Sequence, residues 1–256
     1  MAFKKLIPTI ALLALSSAAI ADENYSNLNV GPTLFAFSGK EETVNGSKED
    51  KGVCCGVRAE LEYAKTNVFY AGLFGVYAPG ATTTTHTLPS LEGEPSATMK
   101  VAAYLWQAEA RMGKHFSVAK KSSIVPYLAG GIYNVDSSIT HGISYTDTEA
   151  KYSSQMRWMY IATGVSGSYS VNDTLDLALG AKLMRHLSSK NKLVQGDQEA
   201  TIELDSKWGF EVNLPVKIRA GKTSIWNFQV EPFFLKIDTA KAVNVYGARM
   251  SIQRGF

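Results

Sequence analysis

The segment WGFEVNLPVKIRA, residues 208–220, decides the fold. Trp208, Phe210, Val212, Leu214, Val216, Ile218 and Ala220 fall on one face of an extended chain, and Glu211, Asn213, Lys217 and Arg219 fall on the other. A period of two over this length is the mark of a strand with one apolar and one polar side, and a helix cannot produce it. Leu175, Leu177, Leu179, Ala181 and Leu183 repeat the pattern against Asp176 and Lys182, as do Val57, Ala59, Leu61 and Tyr63 against Arg58, Glu60 and Glu62.

Carried along the chain, the same reading predicts about ten segments, at 28–38, 53–64, 68–81, 100–113, 124–135, 156–171, 175–187, 207–220, 225–237 and 242–256. They are longer than the strands of ordinary soluble sheets. The connections 39–52, 82–99, 136–155 and 188–206 are long and rich in Thr, Ser, Gly and charge; those between them are mostly short. This rhythm predicts an all-β, up-and-down antiparallel transmembrane β-barrel of about 10 strands, with 8 or 12 as the neighbouring solutions. Pro215 and Pro232 fall inside adjacent segments, where neither can donate to the ladder, and predict bulges.

The N-terminus reads separately. Lys4 and Lys5 precede an apolar stretch from Leu6 to Ile20 that ends in Ala19-Ile20-Ala21, the form of a secretory signal, so residues 1–21 are expected to be cleaved and residues 22–256 to form the barrel domain. Without the two lysines, the 26 basic and 23 acidic side chains nearly balance. Such a balance, with the basic residues dispersed, argues against nucleic acid as a partner. Beyond the signal the longest apolar run, Val68 to Ala78, is too short to span a bilayer as a helix.

Alternation alone leaves open which face is inside, since a soluble barrel puts its apolar face in the lumen. Aromatic residues decide it. Trp158 and Trp208 fall near the long-connection ends of their segments, and Tyr169 and Trp226 near the short-turn ends, predicting two girdles at the membrane interfaces. The chain closes on Phe256, with Ile252, Met250, Ala248 and Tyr246 at alternate positions before it. This end resembles the C-terminal signature of Gram-negative outer-membrane proteins, and the segment Glu231-Pro232-Phe233-Phe234 with Val245-Tyr246-Gly247 is similar to the last hairpin of small barrels of the broad OmpA and opacity-protein type. The resemblance implies an integral outer-membrane location with periplasmic termini. It also implies contact with outer-membrane lipid and lipopolysaccharide, and Tyr246, Ile252 and Phe256 as the signal read by the barrel-assembly machinery.

With the apolar face towards lipid, the charges expected in the lumen are Arg58, Glu60, Glu62, Glu109, Arg111, Asp176, Lys182, Glu211, Lys217, Arg219, Glu231 and Arg249, six of each sign. In a ten-stranded barrel this balance predicts ion pairs that plug or narrow the interior. The leading functional expectation is therefore a non-enzymatic barrel with a structural or surface-interaction role, acting through long loops; a small-solute porin is the alternative, and an outer-membrane lipid hydrolase a distant third. The hydrolase reading rests on His186 and Ser188, which share a face if the strand is regular, so that an imidazole base sits beside a hydroxyl nucleophile. A polar barrel rim is the bland account of the same residues, and neither an orienting acid nor the lipid-facing placement of known outer-membrane hydrolases accompanies them.

No cofactor or metal motif occurs; His86, His115 and His141 lie in separate connections and read as loop residues, and Asp147, Glu149 and His141 match no protease spacing. Adjacent Cys54 and Cys55 admit three states: two reduced thiols, a strained vicinal disulfide, or a thiol bridging a neighbouring chain. Lys151, Arg157, Arg185, Lys190, Lys192 and Lys207 gather near the long-connection rim, where they either are solvated or hold lipopolysaccharide phosphates, and the loops offer surface for a host ligand.

Overall fold

In the computed structural model the described residues are 24–43, 46–87, 96–139, 152–195, 198–204, 207–220, 226–238 and 242–255. They form β1 (Asn24–Thr43), β2 (Gly46–Lys65), β3 (Phe69–Thr87), β4 (Ser96–Gly113), β5 (Phe116–Ala119), β6 (Ser122–Ile139), β7 (Tyr152–Ser170), β8 (Leu175–Gln195), β9 (Gln198–Leu204), β10 (Trp208–Asn213), β11 (Val216–Arg219), β12 (Trp226–Asp238) and β13 (Ala242–Gly255). All pairings are antiparallel between neighbours in the chain, and β13 pairs β1, from Asn27↔Gly255 to Lys40↔Ala242, which closes the sheet. Because β9, β10 and β11 are successive pieces of one span against β8, and β5 is a small appendage of β6, the wall has ten strands.

The exterior is apolar for the reason the alternation gave. Along β10 and β11, Trp208, Phe210, Val212, Leu214 and Ile218 are exposed, and the belt continues through Leu73, Leu128, Ile161, Leu179, Val230 and Met250. Trp208, Tyr169 and Trp226 are among the exposed aromatics, with Arg254 lying over the Trp226 ring at 5.5 Å. Trp158 is a correction: it is 5% exposed and points inwards, since the inner face itself turns apolar at that height.

Strand length departs from expectation. Ser38↔Lys51 continues in register to Thr43↔Gly46, Val53↔Ala81 to Ser47↔Thr87, and Ser189↔Leu204 to Gln195↔Gln198. Much of what reads as long loops is therefore strand. In the first two of these stretches the sequence is polar at nearly every position, so no hydrophobic period marks them, although Thr82 to Thr85 have the β-branched side chains strands favour. The short β9 does alternate, with Ala200, Ile202 and Leu204 against Glu199, Thr201 and Glu203. A strand of 20 residues such as β1 reaches about 50 Å when tilted, against an apolar band of about 25 Å. The wall consequently rises well past the belt at the end away from the short turns.

The prolines do not make bulges. Between β10 and β11 the ladder pauses at Leu214-Pro215, yet Asn213↔Gly180 and Val216↔Leu177 keep one register, with Leu214 N–H donating to the Pro232 carbonyl at 3.0 Å and Ala178 N–H to the Pro215 carbonyl at 2.8 Å. Register shifts lie elsewhere, one between Ser117 and Ala119 in the short β5 and one in the wall itself, in β8: Met159 pairs Ser188 but Tyr160 pairs His186, leaving Leu187 as the extra residue. The signal segment 1–21, Lys151, Phe256, and the His141, Asp147 and Glu149 positions lie outside the described residues.

Candidate functional site

The lumen is the first place to look for a solute path, and eight of its charged residues occupy it together. Arg58 donates to Glu231 at 2.5 Å and also pairs Glu60; Glu60 accepts from Arg111 at 2.8 Å; Arg111 donates to Glu109 at 2.5 Å; and Glu109 accepts from Lys182 at 2.7 Å. Lys182 continues to Glu211 at 2.7 Å, Glu211 to Arg249 at 3.0 Å, and Arg249 returns to Glu231 at 2.7 Å. Acids and bases alternate around a closed cycle, each touching two of opposite sign. The contacts join β2 to β12 and β4 to β8, so the cycle crosses the lumen rather than tracing the wall.

Phe74 sits inside this ring. The guanidinium carbons of Arg58, Arg111 and Arg249 lie 5.6, 5.4 and 5.2 Å from its ring centroid, and Arg249 also covers Phe233 at 3.9 Å. Tyr160 donates to Glu109 at 2.5 Å and accepts from Gln107 at 3.2 Å, while Asn213 and Gln229 both donate to Glu231. Four dehydrated carboxylates are thus neutralised by four cations and by further donors, the condition under which such burial is tolerable.

The remaining four lumen charges form a separate tier towards the short turns. Arg219 grips Asp176 with contacts of 2.6 to 3.0 Å and reaches Ser170, Glu62 accepts from Tyr70 at 3.0 Å, and Lys217 is within electrostatic reach of Glu62 and Asp176. On the opposite side of the ring the lumen becomes apolar: Phe35, Leu235, Ile237, Val245, Trp158 and Met184 are buried in one cluster with Tyr133 stacked on Tyr160. The signal for this layer was present as loss of alternation, in Phe233-Phe234-Leu235 and Trp158-Met159-Tyr160-Ile161, where both faces are apolar.

The candidate catalytic pair is not assembled. His186 is fully buried inside, with Nδ1 at 3.1 Å from the Lys207 carbonyl and an edge contact to Tyr160, whereas Ser188 is in register with outward-facing Met159. The β8 bulge puts the two on opposite faces, a correction to the expectation that residues two apart share one. His115 is buried beside the short turns rather than a surface residue, and burial pushes its imidazole below the usual histidine range.

Cys54 and Cys55 are both free thiols, the first buried inwards and the second exposed on the outer face, so the vicinal disulfide is absent. A bilayer-soluble maleimide is expected to label the folded protein once, at Cys55. Labelling should survive Cys54→Ser and vanish in Cys55→Ser, and two labels per folded chain, counted by intact mass, would contradict this placement.

No protein-family model and no curated protein matches the chain. Among solved structures it is similar to the outer membrane protease OmpT from Escherichia coli, at 10% identity and a TM-score of 0.63 over 94% of this chain and 100% of that one. An outer membrane channel from Pseudomonas putida F1 follows at 11% identity, a TM-score of 0.45, and 93% and 97% coverage. The chain has the fold of the outer-membrane β-barrels, and its continuous apolar exterior is that of a barrel set in a lipid bilayer. Within that class it is a ten-stranded barrel whose interior holds a closed ring of ion pairs.

Proposed function

We propose that this protein is a non-conducting, non-enzymatic outer-membrane barrel that acts through its exterior and through the polar wall its strands raise beyond the belt, with both termini in the periplasm. The observation that carries the reading is the filled lumen. A ring of eight alternating charges surrounds Phe74, and a packed apolar layer lies directly beyond it. An ion crossing the barrel would have to displace paired charges and then enter an apolar layer, two barriers in series. The separation of His186 from Ser188 supports the absence of a hydrolase site there.

Planar-bilayer recordings of the refolded protein test this. No steps, or only very small ones, are expected; large regular conductance steps would favour the small-solute porin instead.

A further inference from the structure

We propose that the outer face of β6, β7 and β8, immediately beyond the apolar belt, binds the phosphorylated saccharide headgroup of a glycolipid. The belt ends here on exposed Ile161, Met159 and Leu187. The next outward positions are in register across three strands, Asn134↔Arg157↔Lys190, and the row beyond them is Asp136↔Gln155↔Lys192. The first row therefore lies at the height where lipid headgroups begin, and it carries two cations.

Arg157 is exposed, and neither it nor nearby Arg185, whose guanidinium lies over Trp208 at 5.2 Å, has a carboxylate partner among the described residues. Lys190 and Lys192 meet Glu203 and Glu199 at 3.4 and 2.8 Å, but these are solvent-exposed pairs of the weak kind that a phosphate readily displaces. Beside Arg157 the Asn134 side chain is 0% exposed, and both its amide oxygen and nitrogen lack a partner among the described residues, as does Oδ1 of Asp136 in the next row. Buried polar atoms of this kind are ordinarily satisfied, and two on one strand mark a place where something else supplies the bonds. The second row opens into a cleft of about 340 Å³ lined by Tyr104, Asp136, Ser153, Gln155, Lys192 and Val194.

The order along the wall selects the ligand. Apolar side chains come first, then cations with a buried amide, then a cleft of hydroxyl, amide and carboxylate groups with an aromatic ring. A glycolipid with acyl chains, phosphate and sugar hydroxyls in that sequence matches it, whereas a plain anionic phospholipid would leave the cleft unused. The inference rests on the bilayer reading of the exterior and is independent of whether the lumen conducts.

The test uses refolded full-length protein in uncharged detergent, titrated by calorimetry with diphosphoryl hexa-acyl lipid A, its dephosphorylated form, and phosphatidylglycerol. Diphosphoryl lipid A is expected to bind at least about tenfold more tightly than either comparator, and Arg157→Gln with Lys190→Gln to lose about tenfold of that affinity. In Gln155→Ala with Asp136→Ala the preference over phosphatidylglycerol should disappear while phosphate dependence remains. All four positions lie on the outer wall, and retained heat-modifiable migration verifies the fold of each variant. Equal binding of phosphatidylglycerol by the wild type, or unchanged affinity in the Arg157 and Lys190 variant, overturns the proposal. The bilayer recordings, read separately, decide the closed lumen.

Discussion

Arg249→Met is expected to lower the unfolding free energy by about 3–5 kcal/mol, because removing one member of a buried ion pair leaves its partners charged and unpaired. Arg249 serves two carboxylates, Glu211 at 3.0 Å and Glu231 at 2.7 Å, with only 4% of its side chain exposed. Its planar head is also packed between Phe74 and Phe233, a contact that methionine replaces only in part. The loss converts a neutral ring into one with an excess negative charge. Adding Glu211→Gln restores neutrality: Lys182 keeps Glu109, Glu231 keeps Arg58, and the closed ring becomes an open chain of three acids and three bases. The double variant should therefore be more stable than the sum of the single losses predicts, by about 0.5–3 kcal/mol, the range of coupling between groups in one network. Urea unfolding in phospholipid vesicles, followed by tryptophan fluorescence, reads both quantities. A loss for Arg249→Met below about 1 kcal/mol, or strict additivity in the double variant, would show that the cycle is not energetically connected.

How far the fold could be read depended on which solvent each face met. Where one face met lipid, as in Trp208 to Ala220, sequence alternation recovered the span and its place in a ten-stranded wall, while the choice of the apolar face as the outer one needed the aromatic residues and the C-terminal pattern as well. Beyond the belt, at Ser38 to Thr43 or Thr82 to Thr87, both faces are polar, so the pattern vanished and real strands read as loops. Inside, the charged residues were legible as a set because lipid excludes them, but their partners were not: Glu109 meets Lys182 only because β4 and β8 face each other across the lumen. Trp158 was misplaced since an apolar inner layer beyond the ring makes a girdle tryptophan and a core tryptophan look alike. The error at His186 and Ser188 came from a single unpaired residue, Leu187, which shifts every later side chain of β8 to the other face and leaves no mark in composition.

Gly31→Val is expected to prevent the barrel from closing. The seam between β1 and β13 is paired at Val30↔Ile252 and again at Thr33↔Arg249, and between these rungs the chains approach so closely that a Cβ on Gly31 would stand 2.1 Å from the Met250 carbonyl oxygen and 2.6 Å from the Ser251 Cα. Those are backbone atoms of the partner strand, so no side-chain rotation relieves the clash. Either the seam opens or β13 is displaced, at a cost of about 3 kcal/mol or more. Displacement there moves Arg249, the next rung, away from Glu211 and Glu231, so the strain at the seam and the loss of the ring add in the same direction. Gly130→Val provides the comparison, since nothing lies within 4 Å of the corresponding Cβ and its position faces outwards. Refolded in vesicles and run on gels with and without boiling, Gly130→Val should keep the compact heat-modifiable band of the wild type, while Gly31→Val should lose most of it. A compact band of wild-type intensity for Gly31→Val would mean that the seam can widen without cost, and that closure does not depend on the close approach of these two strands.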